Sequence, residues 1–217
     1  MTDRPADRSA SIQSLLLTVL GPFALGYFIS YLFRAVNAVV APDLVRDAGL
    51  SAGELGFLTA AYLFGFAGFQ LPLGVLLDRF GPRKVQTALL AVAALGSAVF
   101  AMAPGTIGLS FGRMLIGVGC AGGLMAGFKA VAIWVPDGRR ALANAIIMAA
   151  GGLGILVETV PAEWASQTFG WRPMFAGMAV ITLCVSALLW TAVPDRQGGA
   201  QGETPVSYTH LTLPTKI

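Results

Sequence analysis

Long apolar stretches separated by short polar clusters dominate this sequence. Four stretches carry no charged residue, and they lie between Arg8 and Arg34, Glu54 and Asp78, Lys84 and Arg113, and Arg172 and Asp195. Each stretch is long enough for the ~20 apolar residues that cross a bilayer as a helix. The stretches contain Gly and Ala and show no strict alternation of polar and apolar positions, which favours helices over a transmembrane barrel. The pattern therefore predicts a helical protein that crosses the membrane several times.

Breaks at Pro, Gly and charged clusters divide the chain into six predicted spans. Their expected ranges are 15–40, 54–77, 85–104, 107–134, 142–163 and 172–193. Pro42 is expected to close the first span, and Ser51 with Glu54 has the spacing of a capping box at the start of the second. We therefore expect an all-α membrane domain over 15–195, flanked by a cytoplasmic segment 1–14, a Gly-rich cytoplasmic linker 196–206 and a separate tail 207–217.

The distribution of basic residues predicts the orientation of the spans. A cytoplasmic N-terminus leaves only Arg46 and Arg172 outside. The basic residues then placed on the cytoplasmic side are Arg4, Arg8, Arg79, Arg83, Lys84, Arg139, Arg140 and Arg196. No small-residue cleavage site follows the first span, so this span is expected to be retained. The prediction is a multi-pass protein of a bacterial cytoplasmic membrane.

Composition excludes several other classes of protein. The 217 residues are 56% hydrophobic and 12% charged with a net charge of +3, which is wrong for a disordered chain or a nucleic-acid binder. Cys120 and Cys184 lie in apolar spans and are expected to pack rather than to pair. The tail SYTHLTLPTKI resembles a translated sequencing adapter and holds the only histidine, His210. We therefore expect a non-native tail, no cofactor, no metal site and no histidine-based catalysis.

Several motifs occur in order along the chain. They are GVLLDRFGPRK over 74–84, GRxxxGxG over 112–119, WVP with GRR over 134–140, and FGWR over 169–172. Together they resemble the motifs of the major facilitator superfamily, with Pro82 where that family often has arginine. The resemblance covers about 15–195. It implies the N-terminal six-helix half of a secondary transporter, built from two inverted three-helix repeats in which FGPRK and FGWRP occupy equivalent places.

The resemblance also implies a gating role for the segment 74–84. Asp78 and its basic neighbours are expected to make charge-assisted hydrogen bonds to helix ends and to hold the cytoplasmic side shut. The expected gating residues are Gly74, Asp78, Arg79, Gly81, Arg83 and Lys84. The alternative is that the basic residues only follow the positive-inside bias.

Three glycines of the fourth span suggest close helix packing. Gly119, Gly123 and Gly127 repeat every four residues. They are expected to line one face and to let a neighbouring backbone approach closely.

Charged residues inside the predicted spans are costly unless they face a partner or water. Arg34, Arg113 and Glu158 fall in one layer near the outer ends of their spans. Arg113 and Glu158 are expected to form either a proton-coupling site or a static ion pair. Lys129 lies near the cytoplasmic end, where it either snorkels or contacts a solute from the inside.

A polar aromatic stripe marks the first span. Tyr27, Tyr31 and Arg34 follow the spacing i, i+4, i+7, with Asn37 beside them. The segment resembles the first span of facilitators that move organic anions, which implies that the Arg34 fork binds an anionic group. The alternative is that Arg34 pairs with Glu158 or snorkels. The expected solute site comprises Tyr27, Tyr31, Arg34, Asn37 and Lys129.

The expected function is alternating-access transport of a small, anionic organic solute. Its expected partners are the solute, the lipid bilayer and a missing C-terminal six-helix half, because one half lacks the opposite wall of the cavity. A membrane enzyme such as an intramembrane hydrolase needs paired acids, whereas the spans supply one carboxylate, Glu158. We therefore expect no enzyme. A homodimer of halves and a non-transporting assembly or sensory module are the alternatives.

Overall fold

The computed structural model describes residues 16–195, which are helical apart from short connections. The helical segments are a π-helical turn Leu16–Leu20, α1 (Gly21–Ala48), the long segment Ala52–Met102, α4 (Thr106–Cys120), α5 (Gly123–Trp134), a 3-10 turn Asp137–Arg139, α6 (Arg140–Phe169) and α7 (Trp171–Ala192). The predictions for 1–14, 196–206 and 207–217 concern residues outside the described range. The predictions for Arg4, Arg8, Arg196 and His210 also concern residues outside the described range.

The described chain has five helical stretches long and apolar enough to cross a membrane, when α4 and α5 are counted together as Thr106–Trp134. Ala52–Met102 is one of the five. Gly81 interrupts that segment with φ 79 and ψ 161, a conformation essentially restricted to glycine. We call residues 52–80 α2 and residues 82–102 α3. The predicted loop between the second and third spans is therefore a break at one residue. The nearly all-helical, membrane-spanning character is as predicted.

The two FG motifs share one backbone conformation. Gly81 has φ 79 and ψ 161, and Gly170 has φ 87 and ψ 157. Gly81 joins α2 directly to α3, and Gly170 joins α6 directly to α7. The short similarity between FGPRK and FGWRP therefore corresponds to the same kind of turn between two long helices.

Pro42 does not end the first helix, so that prediction is wrong. Pro42 lies inside α1, which continues to Ala48 and stops where Gly49 takes φ 67. The backbone N–H groups of Gly49 and Leu50 both donate to the Leu44 carbonyl. Glycine takes this left-handed conformation at little cost and so ends many helices. The helix stop is the Gly-Leu pair at 49–50, seven positions after the proline.

The predicted capping box at the start of α2 is confirmed. The Ser51 hydroxyl accepts from the Glu54 backbone N–H, and the Glu54 carboxylate accepts from the Ser51 backbone N–H at 2.8 Å. The other Glu54 oxygen accepts from the Thr106 hydroxyl at 2.7 Å. The box therefore also ties the start of α2 to the start of α4.

Glycines bring α4 into backbone contact with α2 and α3. A Cβ placed on Gly117 would lie 2.1 Å from the Tyr62 carbonyl oxygen of α2. One placed on Gly96 of α3 would lie 2.7 Å from the Ile116 nitrogen. The most extensive packing in the described chain is between the segment Ala52–Met102 and α4, whereas α1 packs mainly on α6. These close crossings hold α2 and α4 together at the level of Tyr62.

The glycines predicted to form one stripe contact three different helices. A Cβ on Gly119 would meet Ala93 of α3, one on Gly123 would meet Ser30 of α1, and one on Gly127 would meet Ile147 of α6. Positions four apart differ by about 40° around a helix. The α-helix is also interrupted at residues 121 and 122, between the first glycine and the other two. The prediction of a shared face is therefore wrong, although each glycine has a close neighbour.

Candidate functional site

A cavity of about 280 Å³ lies between α1, α2 and the junction of α4 with α5. Three of the residues predicted to bind solute line it, namely Tyr27, Tyr31 and Arg34. The other lining residues are Ser30, Tyr62, Phe66, Gln70, Cys120, Ala121, Leu124 and Met125. The aromatic stripe of the first span thus forms one wall of a cavity.

Arg34 presents an unneutralised charge to this cavity. Its guanidinium carbon lies 4.7 Å from the Phe66 ring centroid and 5.4 Å from that of Tyr31. Within residues 16–195, no carboxylate forms an ion pair with it, so the alternative pairing with Glu158 does not occur in this conformation. Ring faces attract a cation without cancelling its charge. The cavity wall is therefore positive at this point.

The wall opposite Arg34 was not predicted from the sequence. Tyr62, Phe66 and Gln70 lie four residues apart on α2, which is the same helical spacing that relates Tyr27 to Tyr31. Applying that spacing to the second span would have found them.

Neutral polar groups complete the cavity. The Gln70 side chain donates to the Ala121 carbonyl at 3.2 Å, where the fourth span is interrupted. The Tyr62 hydroxyl is buried and makes no direct hydrogen bond in the described part of the chain, although it interacts electrostatically with the Arg34 guanidinium and the Cys120 thiol. A solute that supplies an acceptor or donor would satisfy that hydroxyl, because a buried unpaired polar group costs about 1–3 kcal/mol.

Two of the predicted solute residues lie outside this cavity. The Asn37 amide donates to the Thr59 hydroxyl at 2.9 Å, which links α1 to α2. The Lys129 ammonium pairs with the Asp78 carboxylate at 2.7 Å. Lysine has a long stem, so its charge reaches the end of α2 instead of the cavity. The structure therefore does not bring Asn37 or Lys129 to the solute cavity.

The segment 74–84 is tied to two other helices. The Arg83 guanidinium donates to the Trp190 carbonyl in the last turn of α7, at 3.1 and 2.5 Å. Lys84 pairs with Asp195 at 2.9 Å, and Asp78 pairs with Lys129 of α5. A cation at the C-terminal end of a helix is favourable because the exposed carbonyls carry partial negative charge. Of these residues, Arg83 contacts a helix end, whereas Asp78 and Lys84 form ion pairs with side chains, and the gating role stays a prediction.

The remaining residues of this segment differ in what holds them. Gly81 is needed for its positive φ. Around Gly74, a Cβ would meet no described atom within 4 Å, so packing does not demand a glycine there. The Arg79 guanidinium lies 5.2 Å from the Phe80 ring and makes no ion pair in the described part of the chain.

Arg113 lies behind the cavity wall and is only 1% exposed. One of its terminal nitrogens donates to the Phe33 carbonyl of α1 at 3.1 Å. The other two guanidinium nitrogens have no hydrogen-bond partner among residues 16–195. Its guanidinium carbon lies 5.2 Å from the Phe100 ring and 5.7 Å from the Phe175 ring. Arg113 therefore joins α4 to α1 between aromatic rings of α3 and α7.

Glu158 is brought towards the same region by close packing of α6 on α1. A Cβ on Gly151 would lie 2.5 Å from the Tyr27 ring, and one on Gly154 would lie 2.6 Å from the Phe28 carbonyl oxygen. Glu158 follows one turn later and is 3% exposed. It interacts electrostatically with Arg113, but the two side chains form no direct ion pair in the described structure. The static ion pair is therefore not formed in this conformation, and proton coupling stays a prediction.

Comparison with known proteins gives one family and a consistent group of relatives. Residues 23–215 match the Major Facilitator Superfamily model. The chain is 29% identical over 187 residues to "Uncharacterized transporter YybO" of Bacillus subtilis (strain 168), which covers 86% of this chain and 41% of that protein. It is 26% identical over 197 residues to "Probable sulfoacetate transporter SauU" of Cupriavidus necator, covering 88% of this chain and 46% of that protein.

A third relative and a solved structure agree with this match. "Probable galactarate/D-glucarate transporter GarP" of Escherichia coli (strain K12) is 28% identical over 166 residues, covering 74% of this chain and 37% of that protein. The crystal structure of a bacterial homolog of the human lysosomal transporter Spinster, inward-facing and unoccupied, has a TM-score of 0.73 at 20% identity. It covers 88% of this chain and 46% of that one.

The chain thus spans less than half the length of the three relatives and the solved structure named above. Its relatives are transporters and not enzymes, as predicted. The predicted family is confirmed, because the family model matches most of the chain: this integral membrane protein belongs to the Major Facilitator Superfamily.

Proposed function

We propose that this chain is the N-terminal six-helix half of a secondary transporter that carries a small organic anion by alternating access. In this proposal α2 and α3 each cross the membrane, and α4 and α5 together form one membrane span. The chain then consists of two inverted three-helix repeats, with the glycine turns at Gly81 and Gly170 in equivalent places. The N-terminus is cytoplasmic in a bacterial inner membrane, so the basic segments at 79–84 and 139–140 lie inside. The greater length of the relatives supports a second half.

Arg34 is the observation that carries the anionic part of the proposal. An arginine within a membrane span is costly unless it meets a counter-charge or water. Arg34 meets two aromatic rings and a cavity, and no described carboxylate pairs with it. The solutes in the names of two relatives, sulfoacetate and galactarate or D-glucarate, are organic anions. A carboxylate or sulfonate bound to the Arg34 fork would supply the missing counter-charge.

The neighbouring residues have complementary roles in this site. Tyr27, Tyr31 and Tyr62 offer hydroxyls to the solute's polar groups, and Gln70 fixes the interrupted wall at Ala121. Phe66 holds the guanidinium from the opposite helix. In the proposed cycle the second half closes over this wall, and the two halves rock around the bound anion.

Solute binding to the purified chain in lipid nanodiscs tests the proposal. D-glucarate and its uncharged counterpart D-glucitol are titrated by calorimetry against the wild type, Arg34→Gln and Arg139→Gln. Arg139 is an exposed arginine outside the cavity and serves as the matched control. We expect glucarate to bind more tightly than glucitol, and Arg34→Gln alone to weaken glucarate binding by at least tenfold. This is the loss of one charge-assisted contact worth about 1.5–3 kcal/mol. Equal binding of the two solutes, or equal loss in both variants, would contradict the proposal.

Glu158 and Arg113 are proposed as the proton-coupling site behind the solute wall. Glu158 is a buried carboxylate within a span and interacts with Arg113, which contacts α1 next to Arg34. Intramembrane carboxylates in transporters commonly carry protons. Calorimetric titration in buffers of different ionisation enthalpy measures the protons taken up per solute bound. We expect Glu158→Gln to abolish that uptake and Glu163→Gln, an exposed position on the same helix, to leave it unchanged. Unchanged uptake in Glu158→Gln would contradict this assignment.

A further inference from the structure

A second cavity lies away from the solute site, in the angle between α2 and α3. It has a volume of about 280 Å³. Phe69, Leu76 and Phe80 of α2 and Ala88 and Leu89 of α3 form its apolar sides, and Lys84 lies at its polar end. The two helices meet at Gly81, so the groove begins beside the turn and runs along both helices. We call this the α2–α3 groove.

The length of the α2–α3 groove matches one leaflet of a membrane. Phe69 and Phe80 mark its two ends on α2, and eleven residues of helix rise about 16 Å. Half of the hydrocarbon core of a bilayer is about 15 Å thick. The groove therefore offers an apolar surface from the turn at Gly81 to the middle of the membrane, which is the course of one lipid acyl chain.

Positive charge is in excess at the polar end of the groove. The described carboxylates nearby are already paired, Asp78 with Lys129 and Asp195 with Lys84. Arg83 binds a carbonyl oxygen, which leaves its full charge uncompensated.

Arg79 is the cation best placed to act on a headgroup. It is exposed, and no carboxylate in the described range pairs with it. Its guanidinium lies 5.2 Å from the ring of Phe80, which lines the groove. Arg79 is therefore within reach of a phosphate at the mouth of the groove.

We propose that the α2–α3 groove binds an anionic phospholipid, with one acyl chain along the groove and the headgroup phosphate against Arg79. The apolar sides accept the chain of any phospholipid. The uncompensated charge at the mouth selects an anionic headgroup, because basic residues near a membrane surface attract anionic lipid. Lipid bound here bridges the turn at Gly81 and is separate from the solute cavity. The proposal does not depend on the transport function.

Native mass spectrometry of the detergent-purified chain tests the proposal. Phosphatidylglycerol and phosphatidylcholine with identical acyl chains are offered together, and the ratio of the two retained lipids is measured. We expect the wild type to prefer phosphatidylglycerol. Arg79→Gln is expected to lower that preference about fivefold, whereas Arg139→Gln, at an exposed arginine elsewhere, leaves it unchanged.

A groove-filling pair of variants tests the position of the acyl chain. Ala88→Trp fills the groove, and Leu95→Trp places the same ring on an exposed site of α3 outside it. We expect Ala88→Trp alone to reduce retention of both lipids. Equal retention of the two lipids by the wild type would overturn the proposal. Equal effects of Arg79→Gln and Arg139→Gln, or normal lipid retention in Ala88→Trp, would do so as well.

Discussion

The crossing of α2 and α4 at Gly117 makes a prediction that can be worked out from the structure. A Cβ on Gly117 would lie 2.1 Å from the Tyr62 carbonyl oxygen, whereas real Cβ atoms keep at least 3.0 Å from such neighbours. Gly117→Ala therefore forces α2 and α4 apart by about 0.9 Å locally. The atoms concerned are backbone, so rotation of a side chain cannot relieve the contact.

The expected cost follows from two opposing effects. Overpacking a tight contact costs about 1–3 kcal/mol, and the upper end applies because the contact is with backbone. Replacing glycine by alanine within a helix returns up to about 1 kcal/mol. The free energy of unfolding should therefore fall by about 2 kcal/mol. For a chain of this size that corresponds to a melting temperature lower by about 4–8 °C.

Gly177→Ala is the matched control for this change. Around Gly177 in α7, a Cβ would meet no described atom within 4 Å. The same replacement there should raise the melting temperature by up to about 4 °C, because only the gain in helix propensity remains. Thermal unfolding of both variants in detergent, followed by intrinsic fluorescence, measures the two opposite shifts.

Solute binding provides a second readout of the same variant. Tyr62 lines the solute cavity, so displacing its backbone should also weaken glucarate binding in Gly117→Ala and not in Gly177→Ala. A Gly117→Ala variant with wild-type melting temperature and affinity would refute the inferred contact between α2 and α4.

Three further variants test other contacts. Ser51→Ala removes the capping box and should lower the free energy of unfolding by about 1 kcal/mol, measured as a melting temperature lower by about 2–4 °C. Asp78→Asn should lower the free energy of unfolding by no more than about 1 kcal/mol, because Asp78 and Lys129 are 73% and 38% exposed and water screens their ion pair. A larger loss of thermal stability would contradict this weak pairing. Arg113→Leu should cost about 1–3 kcal/mol, because it removes the charged donor to the Phe33 carbonyl and the positive charge near the buried Glu158, and adding Glu158→Leu should recover part of that loss. Thermal unfolding of both single variants and the double variant measures this. If the stability lost in the double variant equals the sum of the two single losses, the two residues do not interact.

The sequence predicted those features that depend on neighbours along one helix. Uncharged stretches marked the helices, and the spacing of Ser51 and Glu54 marked the start of α2. The helical spacing of Tyr27, Tyr31 and Arg34 placed them on one face, and that face lines the cavity. In the last two cases the interacting positions lie within seven residues of each other, so local helix geometry determines which side they face.

Two of the sequence assignments that failed concern a helix end and a contact between helices. Pro42 was assigned as a helix end, but proline removes only one hydrogen bond and α1 continues to the glycine at 49. Lys129 was assigned to the solute site, but its charge is satisfied by Asp78 on another helix. The spacing of residues within a span contains no information about which distant carboxylate a long side chain will reach.

The two arginines expected in one layer show how strongly such contacts decide which side chain reaches the cavity. Arg34 and the Phe33 carbonyl that binds Arg113 belong to adjacent residues of α1. Arg34 nevertheless faces the cavity between two rings, whereas Arg113 is enclosed by α1, α3 and α7. Arg113 therefore cannot meet a solute without repacking the bundle, and Arg34 can. The proposed solute-binding residue Arg34 and the buried Arg113 thus lie on opposite sides of the α1 backbone. Tyr62 of α2 and Cys120 of α4 interact electrostatically with both arginines, so these two residues connect Arg34 to Arg113 alongside the backbone of α1.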